Sequence, residues 1–200
     1  MEKRIRYNAA RNLSLLYVLY SIIGSFNYKI IGSLFLLIVF PYILFKMNQL
    51  IIAQYNVNLK ITFNVVIAIL ICSVAFPLIS PILFHFGLNT IYIVYTLIFA
   101  RGISLIILGG CLLKRVMIFS KALIVTIVLL TIFGVYTTFG GVMMTPLRYI
   151  YFPKITSLIS IDVIQNSQAM IFFLIFGSLF FVFNQVVREK YENEEVERIE

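Results

Sequence analysis

The chain has 200 residues, 62% of them hydrophobic and 12% charged, with a formal net charge of +8 at pH 7. Soluble domains average about 45–50% apolar and about 25% charged residues, so a soluble fold of this length has too little interior for the apolar surface present, and a mean hydropathy of +1.02 marks an all-α integral membrane protein. Secreted disulfide scaffolds, disordered chains, soluble nucleotide-binding or barrel enzymes and zinc modules are excluded; the 16 Lys and Arg lie in small groups between apolar blocks, as membrane topology signals do, so no nucleic-acid partner is expected.

In chain order, residues 1–12 form a basic N-terminus carrying Lys3, Arg4, Arg6 and Arg11. A bundle of six transmembrane helices is expected to follow over residues 13–187, with spans near 13–26, 30–45, 61–84, 91–113, 122–145 and 169–187. The first two blocks are short and must borrow length from their flanks, residues 8–12 and 46–52. A single helix over 13–45 would be about 50 Å long against a hydrocarbon core of about 30 Å. It would also strand Lys29 without an acidic neighbour, so a turn at residues 27–29 is expected. The basic start followed by an apolar block resembles a secretory signal, but residues 24–27 lack a small-x-small cleavage pattern.

Orientation follows from the basic residues. The N-terminus, the 46–60 and 114–121 connections and the 188–200 tail hold twelve Lys and Arg, whereas the opposite side holds Lys29, Arg148 and Lys154. This bias places both termini in the cytoplasm and suits a prokaryotic plasma membrane. Five spans, the alternative count, would put the termini on opposite sides against that bias. The tail reads as a charged helical extension with i,i+4 pairs Arg188–Glu192, Lys190–Glu194 and Glu194–Arg198. Residues 146–168, rich in aromatic and basic side chains, suit a segment lying on the outer leaflet.

Arg101 is the most informative residue. It stands eleventh in the 23-residue block Ile91–Leu113, beyond snorkelling reach of either interface. Either it donates to backbone carbonyls and hydroxyls, or it holds an anionic ligand or a partner's carboxylate. Seven of the eight acidic residues fall at the cytoplasmic ends. Asp162 remains, read either as the cap of the last helix in a capping box with Gln165 or as the ion-pair partner of Arg101. Pro77, Pro81 and His85 share one helix face at i, i+4 and i+8, giving a kinked wall with a histidine at its outer mouth. Gly134 with Thr138, and Thr137 with Gly141, give small-xxx-small spacing for helix packing; the alternative is a substrate path lined by the threonine hydroxyls.

Cys72 and Cys111 lie in apolar blocks and form no disulfide framework. One histidine gives no histidine-based metal site, and no nucleophile motif, paired intramembrane carboxylate or phosphate loop appears. Neither catalysis, cofactor nor metal is expected. The sequence therefore leaves two readings. In one the protein is a permease or ligand-binding subunit holding an anionic solute or lipid headgroup near Arg101, with His85 and Asp162 as further candidates. In the other it is an assembly or regulatory subunit that meets a membrane or cytoplasmic protein through Arg101 and the tail.

Overall fold

The computed structural model describes residues 2–23, 35–86, 90–143 and 161–196, and side chains over most of that range. Helix α1 is Glu2–Ile23. Its basic first half cannot enter a bilayer core, and its second half is apolar. Ala10, Ser14 and Tyr17, at i, i+4 and i+7, form its buried stripe, while Leu15, Leu16 and Leu19 remain exposed. The Ser14 and Ser21 hydroxyls donate to the carbonyls of Ala10 and Tyr17 at 2.9 Å each, so neither needs a partner outside the helix.

Helix α2 opens on a π-helical turn, Phe35–Val39, and continues as an α-helix over Phe40–Tyr55. Pro41 sits in the first turn of the α-helical part, directly after the π-helical turn. The helix stops at Asn56, whose φ of 52° is left-handed and whose N–H returns to Ile52 O. The expected span 30–45 thus extends on to Tyr55, by the route its shortness implied, while residues 30–34 lie outside the described residues. Polar residues that read as a loop are absorbed in the helix: Lys46 is only 6% exposed, its Nζ donates to Gln49 Oε1 at 3.0 Å, and it lies over the Tyr42 and Phe45 rings.

Helices α3 (Lys60–His85) and α4 (Ile91–Leu113) follow, then a 3-10 turn at Val116–Ile118, α5 (Lys121–Met143) and α6 (Ile161–Val196). No strand occurs among the described residues. Five segments, Phe35–Tyr55, Lys60–His85, Ile91–Leu113, Lys121–Gly140 and Met170–Arg188, are long and apolar enough to cross a membrane. The chain is a helical membrane protein. The first expected span, 13–26, is represented by the second half of α1, which is not among those five; residues 24–26 lie outside the described residues. Helix α6 also begins earlier than expected, taking residues 161–168 out of the interfacial segment; residues 144–160 lie outside the description.

Each helix touches the next in chain order, and α1 returns to α6, so the six helices close a ring. Ring stacking sets their directions. Tyr7 packs on Phe183 and Tyr17 on Phe176, which makes α1 and α6 antiparallel. Thr126 donates to Ser178 and Phe133 packs on Phe172, so α5 and α6 are antiparallel too. The Ser120 N–H donates to the Tyr55 hydroxyl at 3.2 Å, which brings the end of α2 to the start of α5. The start of α1, the end of α6 and residues 56–59 and 114–120 therefore gather at one end, here called the terminal end; His85 and Thr90 mark the far end. Phe40, Phe133, Phe172 and Phe176 fill the middle.

Pro77 and Pro81 sit inside α3 as the spacing predicts. Pro81 has no N–H for the carbonyl of Pro77, and the Ser80 hydroxyl donates to that carbonyl at 3.0 Å instead. Replacing Ser80 by Ala is expected to cost about 1 kcal/mol. In a Pro81→Ala background the restored N–H takes over, and the same change becomes neutral. A double-mutant cycle of unfolding in detergent checks this; additive effects would show that Ser80 does not serve the freed carbonyl.

Candidate functional site

The tightest contact in the bundle is between α4 and α5, and glycine makes it. A Cβ on Gly102 would meet Thr138 N at 2.6 Å and Gly134 O at 2.8 Å. One on Gly134 would meet Gly102 O and Ile106 N, each at 2.9 Å. Backbone faces backbone here, as small residues allow in membranes. Thr131 and Thr138 turn their hydroxyls onto their own helix, donating to Ile127 O at 2.8 Å and Gly134 O at 2.9 Å. Those threonines fill the notches left by Gly109 and Gly102. The paired positions 102 with 138, 106 with 134 and 109 with 131 fix an antiparallel register.

That register sets what stands beside the contact. Arg101 precedes Leu105, Leu108 and Leu112 by four, seven and eleven residues, and all three are fully buried. It therefore belongs to the face of α4 turned into the ring. Thr137 follows Phe133 by four and Leu130 by seven, on the inward face of α5, and has no exposed surface. In this antiparallel register Arg101 is level with position 139, so Thr137 stands close to it in height, about 3 Å away along the bundle axis. Arg101 Nε and Thr137 Oγ1 are both buried and without a hydrogen-bond partner. The Arg101 carbonyl accepts from Ser104 Oγ at 2.9 Å, so that hydroxyl is turned to the backbone and the Nε has no acceptor.

Unpaired buried polar atoms cost about 1–3 kcal/mol each, and more when charged. Two of them on facing helices, close in height, make a donor pair: a planar cationic fork and a hydroxyl able to donate beside it. Carboxylate and phosphate oxygens match that pair.

Phe133 packs on Phe172, and Gly134 faces Ile106, so Phe172 is near the level of Ile106. Arg101 lies five residues beyond Ile106 toward the far end, about 7.5 Å. The same step along α6 reaches its polar run Gln165, Asn166, Ser167 and Gln168, with Asp162 about one turn further. Arg101 is thus central in its own helix, yet level with the polar start of α6, because the helices are staggered.

Asp162 lies within α6, whose described part begins at Ile161, rather than ahead of the helix as a capping residue. Its side chain and any pairing with Arg101 lie outside the described residues. His85 is exposed at the far end against Phe86. The α3–α4 groove sets Ile69 beside Ala100, and His85 is sixteen residues past Ile69, about 24 Å along the helix. The structure therefore does not bring His85 to Arg101. Pro77 and Pro81 stand eight and twelve residues past Ile69, on a different part of α3. Sequence spacing assigns Thr137 first to packing, with a path lined by threonine hydroxyls as the alternative; its place four residues after Phe133 on the buried face is the signal that singles it out. Cys72 is exposed and Cys111 half-buried, both free. Among the described residues no group of three or more His, Cys, Asp or Glu converges.

No protein family, curated protein or solved structure matches this chain. Function is therefore argued from the site's own chemistry.

Proposed function

We propose that the protein is a six-span membrane protein with both termini cytoplasmic, acting as a permease or ligand-binding subunit that holds an anion at Arg101. One observation carries the reading: the Arg101 Nε is buried on the inward face of α4 without an acceptor, within one helical turn, in height, of the equally unpartnered Thr137 hydroxyl. A cation near the helix centre costs about 2.5–3.5 kcal/mol on insertion scales. A ligand supplying carboxylate or phosphate oxygens offsets that cost and satisfies both groups. The Lys and Arg of the terminal end, eleven once Lys46 is counted inside α2, orient the ring, and α1 with the five apolar helices supplies the six crossings.

The test is equilibrium binding to the purified full chain, with radiolabelled phosphate and succinate as soluble probes and mass spectrometry of co-purified lipid as the other arm. Saturable binding of either soluble probe, competed by the unlabelled form, supports a solute site. Stoichiometric anionic lipid that is lost with Arg101→Leu supports a headgroup site. A stoichiometric protein released by Arg101→Leu, with neither probe nor lipid bound, overturns the proposal in favour of an assembly subunit.

Topology has its own check, in a background without Cys72 and Cys111. Cysteines placed at Lys60 and at Lys154 should label from opposite sides of the membrane. Labelling of both from one side contradicts six crossings.

A further inference from the structure

A second feature lies far from Arg101, at the terminal end of the α5–α6 pair. A groove of about 470 Å³ runs along the outside of this pair. Its floor is closed by the Thr126 hydroxyl donating to Ser178 at 3.1 Å. Its walls change character along the helix axis. Val125 and Phe181 are 52% and 65% exposed and wholly apolar, surfaces suited to acyl chains. Asn184, Gln185 and Arg188 line the same groove one to two turns nearer the terminal end. From Phe181 to Arg188 is seven residues, about 10.5 Å. Arg188 also closes the apolar segment Met170–Arg188, so these polar groups stand where hydrocarbon gives way to headgroups.

Around the start of α5 the charges are positive, whereas α6 continues past Arg188 with both signs, Glu189, Lys190 and Glu192. Lys114, Arg115 and Lys121 are all exposed there, and Lys121 directly precedes the lining residue Ala122. An apolar trough leading into a rim of one guanidinium, two amides and neighbouring lysines matches a molecule with hydrocarbon below and negative charge above. Basic pockets between spans at the cytoplasmic side bind anionic headgroups on this principle.

We propose that this groove is a binding site for an anionic phospholipid of the surrounding leaflet. Arg188, Asn184 and Gln185 face the phosphate, and Val125 and Phe181 lie along the first acyl carbons. The site is separate from Arg101 and does not depend on that reading.

The test uses the full chain in nanodiscs or mild detergent, with phosphatidylglycerol and phosphatidylcholine of matched chains offered together and retention read by native mass spectrometry. Phosphatidylglycerol should be retained about fivefold over phosphatidylcholine, the preference expected from one well-placed basic residue. Arg188→Gln should remove the preference and Arg188→Lys keep most of it. Arg101→Leu should leave it unchanged, which separates this site from the one in the bundle interior. Arg188 is exposed, so these variants are expected to fold as the parent does. Equal retention of the two lipids, a preference that survives Arg188→Gln, or displacement of the lipid by millimolar inorganic phosphate would each overturn the proposal; the last would assign the groove to a free anion.

Discussion

Gly102→Ala is expected to lower stability by about 3 kcal/mol, the upper part of the range for overpacking. The new methyl would overlap Thr138 N and Gly134 O, which belong to the neighbouring backbone and cannot rotate away. Relief requires α4 and α5 to separate, and with them the register that holds Arg101 close in height to Thr137. Gly134→Ala should behave alike, because its Cβ meets Gly102 O and Ile106 N. Gly110→Ala and Gly177→Ala are the controls: nothing lies within 4 Å of either added carbon, so both should be neutral or slightly stabilising. Unfolding by a denaturing detergent, followed by helical content, ranks the four variants. Equal losses for all four would mean that the α4–α5 contact has no special role.

Arg101→Leu should do the opposite to stability while removing function. Deleting a cation that costs about 2.5–3.5 kcal/mol to insert leaves the protein as stable as the parent or more so. Anion affinity should fall about 10- to 100-fold, the loss expected when charge-assisted hydrogen bonds disappear. Arg101→Lys should retain part of the affinity, since an ammonium keeps the charge but lacks the planar fork. Thr137→Val keeps the side-chain shape and removes an unpaired buried hydroxyl, so affinity should drop several-fold without loss of stability. An Arg101–Asp162 ion pair gives another pattern. Arg101→Leu and Asp162→Asn would each destabilise by leaving one buried charge alone, and changing both to apolar residues would recover most of the loss. Stability and binding measured on the same preparations separate the two patterns.

The helical membrane class was legible from composition, because no soluble packing can hide that fraction of apolar residues. The extents of α3 and α4 were legible from block length, as their apolar runs stop at Lys60 and His85 and at Thr90 and Lys114, with Arg101 the one charge inside α4. Helix α2 was not. Lys46, Asn48 and Gln49 read as a polar loop, but Lys46 and Gln49 satisfy one another across one helical turn and the chain remains helical to Tyr55. Helix α1 was half legible, since periodicity in the apolar block 13–23 does not reveal that Tyr7 and Ala10 extend the same buried stripe into the basic segment. Arg101 stood out because charge inside an apolar block is conspicuous. Thr137 did not, because a threonine in a membrane span commonly bonds its own helix, as Thr126, Thr131 and Thr138 do here. Only the packing distinguishes Thr137, whose buried hydroxyl has no partner. The stagger that levels Arg101 with residues 165–168 of α6 was also hidden, since it arises from the α4–α5 and α5–α6 contacts and no single segment encodes it.

The central claim is that Arg101 presents uncompensated positive charge to an anion in the bundle interior. Thr137→Cys, in a chain whose Cys72 and Cys111 are replaced by Ala, tests this by placing a thiol close in height to Arg101 without altering that residue. A negatively charged methanethiosulfonate should modify that cysteine faster than a positively charged one of similar size. The order should equalise or reverse when Arg101 is also changed to Leu, and the bound anion should slow the reaction. A thiol that reacts with neither reagent from either side, or with both at the same rate while Arg101 is present, contradicts the account.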